Sequence, residues 1–384
     1  MKILIAPDSF KGSLSAPEAA QAMARGLGRV QGIETDMAPI ADGGEGFAQT
    51  LCAAAGGRMV SVAATDPLGR RCEAAYARLP DDTAVIEVAA ASGLTLLSPA
   101  ERDPLAATSY GTGELMAAAQ RAGCKRFVLG LGGSATNDGG AGLLAALGIR
   151  FLDESGYELP PGGGALERLV RIDATDLPPC WQNAEIAVAC DVDNPLCGVT
   201  GAAAVFGPQK GAGSAEVALL DRALARFGAV IQQMTGVNVC HIPGAGAAGG
   251  MGGGLQLLPG TKLLPGFEIA ARYTRLAERL RAADAVLTGE GCTDASSRRG
   301  KVPSGIGKLA LALHKPAFCL SGSLGHGYEQ LLEAGIAACF SMVTGPMCLD
   351  EAMGRAGFLL EAAAEQLGRL LIAGHPAPDS PLRT

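Results

Sequence analysis

Short apolar runs recur along the chain, each closed by glycine, proline, serine or aspartate, and they alternate with stretches of helical periodicity. Residues 2–6 (Lys-Ile-Leu-Ile-Ala) open as a buried strand of the parallel type. Ser15-Ala16-Pro17-Glu18 then has the form of a capping box, with Ala20, Met23, Leu27 and Val30 following at helical spacing. An apolar helix is expected over 47–55 and strands over 59–64, 72–78 and 83–89. A helix ending near 122, a strand at 127–131 and a buried helix at 143–147 come next. Further on, the pattern predicts strands at 185–190 and 201–206 and an amphipathic helix at 215–235. The last third reads as helix 268–283, strand 284–287, helix 304–314, strand 317–320, helix 328–334, strand 337–342 and helix 350–371. Residues 153–181 are rich in turn formers and read as irregular surface, and 375–384 as a frayed tail. Strands alternating with helices predict an α/β protein with parallel pairing.

At 384 residues the chain exceeds one ordinary core, so two domains are expected. A 48% hydrophobic content supports extensive burial, and the 55 glycines cluster beside apolar runs instead of forming a linker. Net charge of −7 without a basic run, and 4% aromatics, argue against a nucleic-acid partner. The 11 cysteines show no C-x-x-C pair and read as small buried hydrophobes in a reducing compartment. His241, His314, His326 and His375 lack metal-ligand spacing. The first apolar run is too short for a signal peptide or membrane span, so a cytoplasmic protein without a membrane partner is expected.

The candidate chemistry lies where strands end. In open α/β sheets ligands sit outside the carboxyl ends of strands, which draws attention to Asp8, Ser9, Lys11 and Ser13 after the first strand. The stretch Leu131-Gly132-Gly133-Ser134-Ala135-Thr136-Asn137-Asp138-Gly139-Gly140 joins a strand to a helix and combines close-approach glycines with hydroxyls, an amide and a carboxylate. Glycines alone would mark a turn. The added polar groups favour a loop that handles phosphate or carboxylate. Arg70, in Asp66-Pro67-Leu68-Gly69-Arg70, sits in a turn but could clamp a carboxylate in two-point fashion. Asp191 and Asp193 follow a strand with the spacing of one face, which suits either a magnesium site or a hydrated turn. Gly244-Ala245-Gly246-Ala247-Ala248-Gly249 matches a dinucleotide fingerprint formally. Pro243 and the glycines that follow make it a poor helix start, and a mobile hinge or lid fits it better. There is no P-loop motif.

Several of these stretches together resemble one family. Ala6-Pro7-Asp8-Ser9-Phe10-Lys11-Gly12-Ser13, Ala41-Asp42-Gly43-Gly44-Glu45-Gly46, Asp66-Pro67-Leu68-Gly69-Arg70, Ser109-Tyr110-Gly111-Thr112-Gly113-Glu114 and Gly132-Gly133-Ser134-Ala135-Thr136-Asn137-Asp138 are similar to motifs of the type-1 glycerate kinases. So are Cys190-Asp191-Val192-Asp193-Asn194-Pro195, Phe206-Gly207-Pro208-Gln209-Lys210-Gly211 and Thr288-Gly289-Glu290-Gly291, in the same order and up to about Leu371. One departure stands out. Where the family usually has Arg-Ile-Asp-Ser-Gln-Thr after Thr-Gly-Glu-Gly, this chain has Cys292-Thr293-Asp294-Ala295-Ser296-Ser297.

The resemblance implies ATP-dependent phosphorylation of D-glycerate at the 2-hydroxyl, with Mg2+. It also implies a discontinuous flavodoxin-like α/β domain with a parallel sheet (1–60 plus 264–384) and an inserted smaller or mixed α/β domain (61–263), with the active site in the cleft. Monomer and homodimer are both compatible with it. Phosphoryl transfer asks a protein mainly to position reactants and neutralise charge. On that basis Lys11, Asp42 and Asp191 are the catalytic candidates, and Asp8, Ser9 and Arg70 the substrate contacts. Gly132, Gly133, Ser134, Thr136, Asn137 and Asp138 are expected around phosphate, and Asp191, Glu290 and Asp294 around the metal. Glycerate 3-kinase chemistry, a NAD-dependent hydroxy-acid oxidoreductase and a non-catalytic sugar-acid sensor are the alternatives.

Overall fold

A computed structural model describes residues 1–298 and 301–374; the stretch 375–384, read above as a tail, lies outside the described residues. The chain divides into two units, one built from Met1–Asp42 with Phe267–Thr384 and the other from Gly43–Gly266. Both are α/β.

In the unit made from both ends of the chain, five strands form a wholly parallel sheet. They are Lys2–Ile5, Glu34–Met37, Ala285–Thr288, Ala317–Ser321 and Ala338–Ser341. Numbered in chain order, they lie 2-1-3-4-5 across the sheet, the flavodoxin order. The reversal falls between Lys2–Ile5 and Ala285–Thr288, where Ile3 pairs with Ala285 and Ile5 with Leu287. The three central strands, Lys2–Ile5, Ala285–Thr288 and Ala317–Ser321, are nearly continuous apolar runs, as fits a sheet covered on both faces. The helix Ala16–Leu27 begins as its sequence indicates: Ser15 Oγ accepts from Glu18 N and Glu18 Oε2 accepts from Ser15 N at 2.8 Å. Its buried Ala19, Ala20, Met23 and Leu27 share a core with Leu359, Leu360, Ala364 and Leu367 of the helix Ala356–Gly374. Gly28 ends the first helix, so Val30 falls beyond it.

The unit inserted between those ends is mixed, and it occupies the longer stretch of chain. Its six strands lie in the order Thr261–Leu264, Glu185–Ala189, Arg126–Gly130, Thr83–Glu87, Arg71–Arg78, Arg58–Thr65. The first four are parallel, and the last two continue as an antiparallel ribbon. Phe127 packs on the single tryptophan, Trp181, with ring centroids 5.0 Å apart.

Several sequence readings change, among them 153–181, read as irregular surface, which sends Leu166, Leu169, Ile172 and Trp181 into the core. Residues 201–206, read as a strand, are the helix Ala202–Phe206. A short apolar run has no decisive period, and three consecutive alanines favour the helix. The helix expected over 268–283 is two, Gly266–Tyr273 and Leu276–Arg281, broken where Arg275 takes φ 53°. The last helix is likewise two, Leu349–Gly354 and Ala356–Gly374. The glycine stretch after Pro243 is no exposed lid. Ala245, Ala247 and Met251 are buried in the inserted unit's core, and Gly249, at φ +70°, lies so close to the loop at 132–140 that a Cβ there would sit 2.0 Å from the Thr136 carbonyl.

Candidate active site

The flavodoxin-like unit places Asp8, Ser9 and Lys11 after Lys2–Ile5 and Glu290 and Asp294 after Ala285–Thr288, the two strands that flank its switch point. Asp42, beyond the neighbouring strand Glu34–Met37, comes near enough to act on Asp8 by its charge. Asp8 N donates to Gly289 O at 2.8 Å, tying the loop after the first strand to the loop after Ala285–Thr288. Ser9 N donates to Asp8 Oδ1 at 2.6 Å, while Lys11 is exposed. Desolvation pushes the Asp8 carboxyl well above the usual carboxylate range, and the negative charges of Asp42 and Glu290 push it further. Glu290 is buried, at 6% exposure. Burial raises its pKa too, against the pull of Ser297, Lys301 and Thr293. Its Oε1 accepts from Thr293 Oγ1 at 3.1 Å, its Oε2 lies 3.8 Å from Lys301 Nζ, and Thr293 shares a 2.7 Å hydroxyl contact with Ser321. Clustered acids that resist ionisation mark a place where a cation or a transferable proton would be welcome.

Asp294 has a different setting. Its Oδ1 accepts from Ser296 N at 2.7 Å, and hydrogen bonds from Ser296 hold its pKa below the ordinary value. It closes a local turn.

The inserted unit holds the remaining candidates. Within 132–138 only the Gly132–Gly133 corner reaches solvent to any extent, and Thr136, Asn137 and Asp138 are completely buried. Asp138 is an internal brace: Oδ2 accepts from Ser109 N and Ser109 Oγ, both at 2.8 Å, and from Gly142 N at 3.2 Å, while Oδ1 accepts from Gly140 N at 3.0 Å. The Asn137 amide and the Thr136 hydroxyl are buried with no hydrogen-bond partner among the described residues. Beneath the loop lies Lys210, 2% exposed, donating to Ser134 Oγ at 2.9 Å and to the Thr136 carbonyl at 2.6 Å. Burial lowers its pKa to about 7, and the Asp138 charge partly opposes the fall.

Sequence reasoning did not single out Lys210 as a site residue. A lysine in a Pro-Gln-Lys-Gly turn is ordinarily solvated, and only the family motif around it offered a signal. Arg70 spends Nε on Asp66 (2.6 Å) and Nη1 on Glu101 (2.6 Å), which braces its turn. Asp191 and Asp193 do not share a strand face. The strand stops at Ala189, both side chains are exposed, and Asp191 Oδ1 accepts from Gly266 N at 2.9 Å.

Among the described residues no three carboxylate, imidazole or thiol groups form a metal cluster. That is compatible with magnesium, which keeps waters and is commonly held by one or two carboxylates plus substrate phosphates. Buried hard-oxygen donors, a lysine beside the switch point and a glycine loop braced from within are the parts of an α/β phosphotransferase.

The comparisons make the class specific. A model of the glycerate kinase family matches residues 3–372, and the chain belongs to that family. It is 46% identical to a glycerate kinase of Halalkalibacterium halodurans over 95% of this chain and 97% of the relative. It is 45% identical to the glycerate 2-kinase of Escherichia coli K12 over 92% and 93% respectively. A crystal structure from Salmonella typhimurium LT2, of a provisionally named glycerate kinase 2, superposes with a TM-score of 0.87 at 43% identity, covering 98% of this chain and 99% of that one.

Proposed function

We propose that the protein transfers the γ-phosphoryl group of ATP to the 2-hydroxyl of D-glycerate, giving 2-phosphoglycerate and ADP. The family supports the reaction, and the E. coli relative's name supports the position. The structural observation that carries the reading is the cluster of Asp8, Asp42 and Glu290 with Lys301 close by, and with Lys11 on the same loop as Asp8.

Of Asp8 and Asp42, Asp8 is the better candidate for the base, because burial and the Asp42 charge make its carboxylate more basic than usual and so readier to take a proton. As the substrate oxygen bonds to phosphorus, its proton passes to Asp8 and the bond to the ADP oxygen breaks. Lys11 neutralises charge on the phosphates. Glu290 supplies oxygen for Mg2+, which when bound screens phosphate charge and fixes the geometry of the transferring group. In the inserted unit the Gly132–Gly133 corner exposes backbone of a kind that suits an anion, Lys210 holds the loop in shape, and Arg70 keeps one guanidinium nitrogen beyond those bound to Asp66 and Glu101.

The test is incubation with ATP, Mg2+ and D-glycerate, followed by phosphorus NMR of the product. A 3-phosphoglycerate signal would overturn the position, and absence of product would overturn the reaction. Lys11→Ala should lower kcat/KM by roughly a hundredfold or more, the scale of losing one charge-stabilising donor. Near-normal turnover would remove Lys11 from the phosphate.

A further inference from the structure

The flavodoxin-like unit contains a cavity of about 670 Å³ whose lining includes Lys11 and Gly291, chain neighbours of the acidic cluster. Its floor is the carboxyl edge of the parallel sheet: Ser341 Oγ donates to Gly322 O at 3.1 Å, and Ser323 N donates to Gly291 O at 3.1 Å. Its walls are apolar and unusually rich in thioether, with Phe10, Met342, Val343, Met347, Leu349 and Met353. Leu349 is 72% exposed, a large apolar side chain at the rim with little of its own unit covering it. Its polar lining includes Lys11, Ser13 and Gly291, the residue after Glu290. The volume falls in the range of roughly 300–1,000 Å³ typical of small-molecule sites, which combine apolar walls with a few placed polar groups.

Glycerate is a three-carbon hydroxy acid and has no apolar surface to match such walls. The other reactant does. We propose that this cavity holds the base and ribose of the donor nucleotide, with the phosphates leaving past Lys11 toward Asp8 and Glu290. The assignment rests on the kinase reading above and specifies where its nucleotide sits.

Three features support it. Methionine sulfur and flexible thioether chains pack well on the faces and edges of aromatic rings, so a planar base suits Met342, Met347 and Met353. The cavity lies outside the carboxyl ends of the strands at and beside the reversal in strand order, where open α/β sheets bind ligands. Its lining also shares loops with the groups that would meet phosphate and cation, since Lys11 lies three residues after Asp8 and Gly291 one after Glu290.

The cavity carries its own reporters. Cys292 and Cys348 line it, and both are exposed free thiols; Cys180, in the inserted unit, is an exposed thiol that does not line it. The wild-type protein is labelled with iodoacetamide and each cysteine followed by peptide mass spectrometry, with MgADP, with glycerate, or with neither. MgADP at a concentration that inhibits turnover should slow labelling of Cys292 and Cys348 at least fivefold and leave Cys180 unchanged, and glycerate alone should protect neither. In parallel, Val343→Trp, which fills the cavity, should raise KM for ATP at least tenfold with KM for glycerate nearly constant. Equal labelling with and without MgADP, protection by glycerate alone, or an unchanged ATP KM in a folded Val343→Trp protein would overturn the assignment while turnover of the wild type kept the kinase reading standing. No wild-type turnover would instead remove the kinase reading, and this assignment with it.

Discussion

Replacing Lys210 with methionine isolates the cost of keeping a cation beneath the glycine loop. Methionine preserves most of the length of the side chain and none of its charge. The pKa of Lys210 falls from 10.5 to about 7, mainly through burial, which amounts to roughly 5 kcal/mol of penalty on the charged form. The folded-state value lies below the unfolded one, so between the two the unfolded chain binds more protons and stability rises with pH. The penalty is fully present below about pH 7, shrinks as pH climbs, and vanishes above about 10.5. It is roughly 5 kcal/mol at pH 6 and roughly 2 kcal/mol at pH 9. Against it stand the two hydrogen bonds to Ser134 and Thr136, which a neutral amine can also donate and which Met cannot replace. Their net worth, about 1 kcal/mol apiece, varies little with pH.

Lys210→Met should therefore be more stable than the wild type at pH 6, and that advantage should shrink by about 3 kcal/mol by pH 9. Urea titrations at several pH values can follow it through the fluorescence of Trp181, the single tryptophan, which is buried in the same unit. Activity should fall at every pH, because the loop loses its internal donor. A stability difference that stays constant from pH 6 to pH 9 would refute the reasoning, since it would mean that Lys210 titrates as a solvated lysine.

Asp8 yields a prediction of opposite sign. Its folded-state pKa is raised, so the folded chain holds the extra proton and ionisation costs stability as pH rises through that range. Asp8→Asn should raise the thermal midpoint of the unliganded protein at pH 8 while abolishing turnover; a lowered midpoint would refute the burial argument. The same shift, with that of Glu290, means that the apparent affinity for Mg2+ in the presence of ATP should weaken as pH drops, beginning above the usual carboxylate range, as a metal titration at stepped pH would show. Gly249→Ala places a methyl 2.0 Å from the Thr136 carbonyl on a backbone of φ +70°. It should destabilise the inserted unit by more than about 2 kcal/mol and lower activity, measured by the Trp181 unfolding midpoint and steady-state kinetics; a near-neutral effect would contradict the packing of that stretch against the loop.

Much of the architecture was legible from local pattern. The capping box at Ser15, the strand at 126–130 and the helix Phe47–Ala55 appear because turn chemistry and periodicity are properties of neighbouring residues, which a linear sequence displays. The motif order sufficed to suggest the family and the reaction. Where local signals were balanced, tertiary packing decided: the run at 201–206 became a helix, and the helices at 266–281 and 349–374 broke.

The chemistry of the site divides in the same way. Sequence alone placed Asp8, Lys11 and Glu290 at strand ends, because strand termini can be read from apolar runs. It could not show that Asp138 points inward as a brace, that Lys210 lies buried beneath the loop, or that Arg70 is held by two carboxylates. Burial and partner choice depend on which segments meet in space, and the shifts at Asp8, Glu290 and Lys210 arise from desolvation by residues distant in the chain. The sequence determined the parts and the order of assembly; the fold alone decided which charges water can reach, because dielectric environment is set by three-dimensional neighbours.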